Sequence, residues 1–286
     1  KEKWNLEGFD AVIGNPPYNI SGKVNTGNTL WYKFVFNSLN EWIINDGYLN
    51  FVHPSGWRKP VTDKSRYNGL FDLMTNKNQM IYLEIHGVND GKKTFNCGTK
   101  YDWYLIKKCN KNIKTTILDE NNISSKHNLK EFKFLSNYNI NEIKSLLSKD
   151  NNLEVIYSSS KYETRKKYVS KEKSIEFKYP LIHSTNKSDI RYMYSSCNDK
   201  GHFGISKVIF GESGINDVII DLEGIYGMTD NSISIKVKNI EEAENIKKAL
   251  LSDKFKEIIK SCIWGNFRIE WVLFTYFKKD FYKEFI

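Results

Sequence analysis

At 286 residues the chain has room for two domains of roughly 150 residues each, and 40% hydrophobic against 27% charged residues is globular rather than disordered composition. Four scattered cysteines (Cys97, Cys109, Cys197, Cys262) without a C-x-x-C pair argue against a zinc ribbon or disulfide scaffold and for a reducing, cytoplasmic compartment; no stretch is apolar for the roughly 20 residues of a membrane span. The net charge of +9 makes a polyanion the first partner to consider.

Phe9 to Gly14 reads as a short buried strand ending in a Pro-rich turn. Near-helical spacing of Leu30, Phe34, Leu39, Trp42 and Ile43 predicts a helix over 30–44, stopped by Asn45-Asp46-Gly47. Strands are predicted over 48–52, 79–85 and 101–107, with another helix over 62–76. Strands separated by helices imply an α/β fold with a largely parallel, doubly wound sheet. Residues 108–130, rich in Asn and Lys, read as a connector, and 139–149 as a short helix. Beyond them come β-rich stretches at 153–157, 206–210, 217–221 and 232–237, and one amphipathic helix over 240–261. The expected division is an α/β domain over 1–125 and a mixed, β-rich domain over 126–286.

Asn15, Pro16, Pro17 and Tyr18 directly follow the first strand, where open α/β sheets place their ligands. Two prolines stiffen the turn and remove two N–H donors, leaving carbonyls free to accept. The Asn15 side-chain oxygen and the Pro16 carbonyl can together grip one exocyclic amino group and tilt its lone pair toward the tetrahedral. Tyr18 offers a face on which a planar base stacks, worth about 1–3 kcal/mol. Such a turn suits an amino group on a flat heterocycle about to attack an electrophilic methyl. The alternative is a Pro-rich turn that merely ends a strand.

The run F-D-x-V-I-G-N-P-P-Y at 9–18 resembles the catalytic motif of gamma-type N6-adenine DNA methyltransferases of restriction-modification systems. The resemblance implies a partial Rossmann-like methyltransferase sheet, S-adenosylmethionine as cofactor, and double-stranded DNA as substrate. Asn15, Pro16, Pro17 and Tyr18 would hold the flipped adenine, with Asp10 and Asn15 beside the cofactor. The segment 47–57 resembles the family's next strand and its P-x-x-W-like loop, and Lys93 to Thr99 resembles the segment whose aromatic packs on the target base. Phe95 takes that role by resemblance, or else plugs the sheet edge. In the gamma arrangement the Gly-rich cofactor loop precedes this motif, and 14 residues precede Asn15 here. The expectation is therefore an upstream polypeptide or subunit that carries the loop. Phe210-Gly211-Glu212-Ser213-Gly214, followed by Asp221, is either a permuted cofactor loop or a turn of the second domain.

Residues 151–286 carry 22 Lys and Arg against 19 Asp and Glu, and residues 1–150 carry 21 against 15, so the second domain has no basic tail. Its position after the catalytic segment suits a target-recognition domain. In Lys161-Tyr162-Glu163-Thr164-Arg165-Lys166-Lys167-Tyr168 cations alternate with tyrosines, a pattern for phosphate and ring contacts or for a solvated loop. His183-Ser184-Thr185-Asn186-Lys187, Arg191 and Thr229-Asp230-Asn231 are polar groups able to reach base edges. Arg268 is a further candidate phosphate contact, and Trp264 reads as core. The five histidines show no ligand spacing, so no metal is expected. Competing functions are a DNA-binding specificity subunit without catalysis and methylation of RNA or a protein glutamine.

Overall fold

The computed structural model describes residues 6–20, 28–157, 160–186, 189–265 and 268–286. The chain forms two compact units, Lys1–Ile140 and Asn141–Ile286.

The first unit is α/β. It contains β1 (Phe9–Gly14), α1 (Trp31–Asn37), β2 (Ile43–Pro54), α2 (Leu70–Thr75), β3 (Gln79–His86), α3 (Val88–Phe95), β4 (Tyr101–Lys107), β5 (Thr115–Leu118) and β6 (Ser124–His127). The strands form one sheet in the order β1-β2-β4-β3-β5-β6. β1/β2 and β3/β5 are parallel, while β2/β4, β3/β4 and β5/β6 are antiparallel. The sheet is thus mixed rather than largely parallel, because YDWYLIK inserts antiparallel between β2 and β3. Its central strands are buried through Leu49, Phe51, Leu83, Ile85, Tyr104 and Ile106.

Local chemistry explains where the elements depart from expectation. β1 is an edge strand, and Phe9 and Ile13 are 43% and 76% exposed, so it is not the buried strand its apolar run suggested. The helix predicted over 30–44 ends early: α1 widens into a π-helix over Ser38–Trp42, and the chain is already extended at Ile43. Asn45-Asp46-Gly47 therefore lies inside β2, where the register with β1 shifts and Asp46 takes φ 63°. Gly47 is required there, since a Cβ would run into the Asp10 carbonyl and the Ile43 side chain. Of the helix predicted over 62–76 only α2 forms. Ahead of it Ser65 Oγ accepts from Tyr67 N and Asn68 donates to the Asp63 carbonyl, so short polar side chains take the backbone's partners. The 108–130 connector holds β5 and β6. Gln79 clamps Ile113 with two hydrogen bonds and Thr115 Oγ1 donates to the Met80 carbonyl, which ties β5 to β3. β6 covers residues 124–127, where the sequence set the domain boundary, so the first unit continues to Ile140.

The second unit is β-rich. It comprises α4 (Ile140–Leu146), β7 (Val155–Ile156), β8 (Val169–Ser170), β9 (Tyr179–Asn186), β10 (Asp189–Ser195), β11 (Lys207–Gly211), β12 (Val218–Asp221), β13 (Gly227–Met228), β14 (Ser232–Lys236), α5 (Ile240–Leu251) and α6 (Asp253–Ser261). Two four-stranded sheets have the orders β13-β9-β10-β8 and β12-β11-β14-β7. Ile182, Ile209 and Met228 pack between them. The helix predicted over 240–261 is two helices, because Ser252 is extended (φ −65°, ψ 144°). Its hydroxyl donates to the Ala249 carbonyl and accepts from Phe255 N, capping both helices at once.

Candidate active site

β1 delivers Gly14 and then the Asn15-Pro16-Pro17-Tyr18 turn. Asn15 and Pro17 are exposed, Pro16 is buried and Tyr18 is half-buried. The Tyr18 carbonyl accepts from Leu30 N (2.9 Å) and Asn19 bridges to Thr29, so the residue is fixed by the start of α1. Its ring enters the wall of a pocket of about 380 Å³, within the roughly 300–1,000 Å³ of small-molecule sites. Tyr18, Trp31, Tyr67 and Phe95 supply rings to this pocket, and Asn19, Thr29, Thr99 and Cys97 supply neutral polar groups. Among the described residues, no charged side chain lines it.

Phe95 ends α3 and meets Tyr18 edge to face at 6.2 Å. The helix lies tight against the rim because Gly91 lacks a Cβ that would collide with the Thr99 carbonyl. Behind Phe95, Tyr101 is edge-on at 4.8 Å and stacked on His86 at 4.4 Å. Tyr101 donates to Asp90 Oδ2 (2.6 Å), which also pairs with His86 Nδ1 (2.6 Å). Burial, with Asp90 adding to it, pushes the Tyr101 hydroxyl up to about 12, and the Tyr101 bond chiefly holds the Asp90 carboxyl below its usual range.

Also in the lining, Tyr67 stacks on Trp31 at 5.2 Å, and Trp31 stacks on the buried His53 at 4.2 Å. His53 Nδ1 lies 3.0 Å from the Pro54 carbonyl, which only accepts, so Nδ1 carries the proton and Nε2 accepts from Tyr104 at 2.8 Å. Complete burial pushes His53 down to about 4, so it is neutral near pH 7. The Tyr18 hydroxyl is itself buried, with no hydrogen-bond partner among the described residues. Burial raises its pKa, and the Asn15 side chain opposes that shift without the geometry of a hydrogen bond.

The structure brings Tyr18 and Phe95 into one pocket; Asn15, Pro16 and Pro17 are outside its lining. Asp10 is exposed on β1. Tyr67 and Trp31 went unrecognised in the sequence because only tertiary contact aligns residues 31, 53 and 67. Trp57 and Arg58 serve the fold instead. Both donate to Asp102 Oδ2 at 2.8 Å, and the Arg58 guanidinium also donates to the carbonyls of Leu135 and Ser136 and to Asn137 Oδ1.

In the second unit the candidate DNA contacts fare unevenly. Lys161, Arg165 and Lys167 are exposed and Lys166 is half-buried, but Arg165 pairs with Glu163. The interleaved tyrosines turn inward. Tyr162 is fully buried with Val169, Leu181 and Met193, and Tyr168 packs against that cluster, so neither ring is presented as the alternation suggested. His183 to Asn186 belong to strand β9 rather than a polar loop, and Thr185 is spent on Gly211 N and the Asp217 carbonyl. Ser184 Oγ is buried, Asn186 is half-buried, and Arg191 is exposed across the hairpin from Ser184. Lys187 lies outside the described residues. Thr229 and Asn231 contact His183 at 2.9 and 3.2 Å, and burial lowers the His183 pKa, with Asp230 opposing and Arg191 and Lys171 reinforcing the shift. Arg268 pairs with Glu212 Oε2 at 3.3 Å.

Phe210 to Gly214 closes β11, which pairs antiparallel with β12; it is the turn of a hairpin rather than a cofactor loop. Asp221 is committed to Lys207 Nζ (2.7 Å) and to the backbone of Ile225 and Tyr226. Among the described residues no group of three or more His, Cys, Asp or Glu side chains could hold a metal ion. All four cysteines are free thiols, and among the described residues no helix is long and apolar enough to cross a membrane.

Residues 1–90 match the family model of the Eco57I restriction-modification methylases. The match takes in β1 to β3 and the Asn15–Tyr18 turn, and stops before Phe95. No curated protein matches. Among solved structures, the type I restriction enzyme EcoKI M protein is 15% identical with a TM-score of 0.30, over 41% of this chain and 26% of that one. A type I restriction-modification methyltransferase subunit from Streptococcus thermophilus is 16% identical with a TM-score of 0.32, over 43% and 29%. The type IIL restriction-modification enzyme MmeI, solved with DNA, is 8% identical with a TM-score of 0.49, over 93% and 46%. The chain spans less than half the length of each of these.

Proposed function

We propose that this chain belongs to a DNA methyltransferase of a restriction-modification system that methylates N6 of a flipped adenine. The observation that carries the reading is an aromatic pocket, lined by no charged side chain among the described residues, beside an Asn-Pro-Pro-Tyr turn that lies in the segment matching restriction-modification methylases. A flat, neutral heterocycle suits such a pocket, whereas a phosphate or carboxylate would find no charge to pair with. Tyr18 and Phe95 fix the plane of the base. Asn15 Oδ1 and the Pro16 carbonyl accept from the two amino hydrogens, which favours a tetrahedral nitrogen whose lone pair is withdrawn from conjugation with the ring and is free to attack. The amine sheds its proton as the new bond forms, so no strong base is required, and the neutral His53 behind Trp31 adds no charge.

S-adenosylmethionine, when bound, supplies the electrophilic methyl. Asp10 and Asn15, both exposed along β1 and its end, offer a carboxylate and an amide to ammonium and hydroxyl groups and so fit part of that molecule. Among the described residues β1 is paired on one side only. We assign the remaining cofactor contacts to a further segment or subunit that extends the sheet along that open edge. The second unit is assigned to reading double-stranded DNA through Lys161, Arg165, Lys166, Lys167, Ser184, Asn186, Lys187, Arg191 and Arg268.

The test is transfer of label from S-adenosylmethionine to DNA, RNA or protein, with and without the polypeptide encoded immediately upstream. Label in DNA adenine is expected, falling about 10²-fold or more in Asn15→Ala if that group acts chiefly in the transition state. Label in RNA alone would sink the proposal. The hairpin at Phe210–Gly214 favours a second reading, a DNA-binding specificity subunit. Salt-dependent DNA binding with no transfer under any pairing would support it.

A further inference from the structure

We infer that Tyr67 is a substrate-binding residue: stacked on Trp31, it lines the same pocket as the Tyr18–Phe95 pair and supplies a further ring surface for an uncharged nucleobase. The inference rests on the proposed base-methylating function for the identity of the ligand, and on geometry alone for the role of Tyr67.

Tyr67 sits in irregular chain, yet it is firmly placed. Its backbone N–H bonds Ser65 Oγ (3.2 Å), its carbonyl accepts from Leu70 N (3.0 Å), and Gly69 (φ 77°) turns the chain into α2. Its ring lies on Trp31 at 23°, and Tyr32 braces it edge-on at 5.5 Å. Trp31 is in turn backed by His53, whose two ring nitrogens are both engaged. The stack is therefore anchored in the core at one end and opens into the pocket at the other. Gly56 stands beside it: a Cβ there would only touch the Tyr67 and Trp31 rings at 3.6 and 3.7 Å, so the stack itself shapes this part of the lining. A ring held in advance loses little entropy when a base packs on it, and aromatic contact is indifferent to which uncharged base enters. Discrimination then falls to the few polar groups in the lining, such as Asn19, Thr29 and Thr99.

Cys97 lines the same pocket and is exposed, so its alkylation reports occupancy without any methyl transfer. The full chain is treated with iodoacetamide in the presence of adenosine or of ribose 5-phosphate, and modification of each cysteine is followed by mass spectrometry. Adenosine is expected to slow reaction at Cys97 and leave Cys109 unchanged, while ribose 5-phosphate protects neither. Tyr67→Phe should retain the protection. Tyr67→Leu should raise the adenosine concentration needed by about 5- to 100-fold, with an unchanged melting temperature and Cys97 reactivity without adenosine showing that the pocket is intact. Equal protection in wild type and Tyr67→Leu would overturn the inference, as would no protection of wild type or protection by ribose 5-phosphate. Should Tyr67-dependent protection occur without methyl transfer, the binding role stands and the reaction assignment fails. Should DNA methylation proceed unaltered in Tyr67→Leu, the reverse holds.

Discussion

Around the pocket of the first unit the buried polar groups are neutral: His53 is held uncharged, and Tyr18 and Tyr104 keep their protons. The second unit also holds a buried neutral histidine, His202, but adds the buried ion pair of Lys207 with Asp221 and a buried Glu212 paired with the exposed Arg268. The first unit does hold a buried ion pair, Arg58–Asp102, but it is spent on tying residues 135–137 to the sheet. The difference teaches what each place is suited to bind. A pocket walled by rings, with no charged side chain among the described residues that line it, fits the flat neutral group proposed for it. A surface that holds its own turns with ion pairs retains Arg191, Lys161 and Lys167 as exposed cations for an anionic partner.

The largest test of this contrast concerns the ion pairs. Arg58→Met and Lys207→Met each strand a buried carboxylate, and each is expected to cost about 3–5 kcal/mol, read as a fall in denaturant midpoint. Pairing Lys207→Met with Asp221→Asn, which removes the charge and keeps an acceptor for the Ile225 and Tyr226 N–H groups, should restore part of the loss if the pair fastens a hairpin. A double variant that folds but no longer binds DNA would instead give the pair a binding role.

Next comes pH. His53 in the first unit and His202 in the second are both pushed down to about 4 by burial, with Lys161 and Lys207 adding to the effect on His202. The unfolded chain takes up these protons near pH 6.5, whereas the folded one waits until about 4. Stability is therefore full above 6.5 and drains away as pH falls to 4, by about 3 kcal/mol for the fully buried His53. His53→Asn should flatten the slope of the first unit and leave that of the second, followed by hydrogen exchange in each unit.

A smaller effect belongs to the pocket. Tyr18→Ala should weaken binding of a purine nucleoside by about 1–3 kcal/mol, by titration calorimetry, without changing the salt dependence of DNA binding. A changed salt slope would break the separation of ring site from charge site. Smallest of all, Asn239→Ala removes the side chain that accepts from Glu242 N at the start of α5. It should lower stability of the second unit by about 1 kcal/mol and leave the pocket untouched.

Residues 79–85 and 101–107 read as strands because β-branched and aromatic residues alternate between covered and less covered faces, and both strands form there. Pairing direction was not legible: nothing local in YDWYLIK says that it lies antiparallel between β2 and β3. Tyr162 and Tyr168 carried a misleading signal, since a tyrosine among lysines looks solvated until tertiary contacts bury its ring. At the site, the Asn15–Tyr18 turn stood out because two prolines and an aromatic are rare chemistry at a strand end. Tyr67 was silent, being one tyrosine of 17 in a stretch with no periodicity.

By itself, then, the sequence determined the α/β-then-β order, the tetrapeptide at 15–18 and the excess of positive charge. These depend on covalent neighbours, periodicity and counting. Tertiary structure alone decided that Tyr18, Phe95, Trp31 and Tyr67 share one pocket, and that no charged side chain among the described residues lines it. The pocket draws its lining from residues as far apart in the chain as Tyr18 and Thr99. Whether a histidine such as His53 carries a proton depends on the water its tertiary contacts exclude.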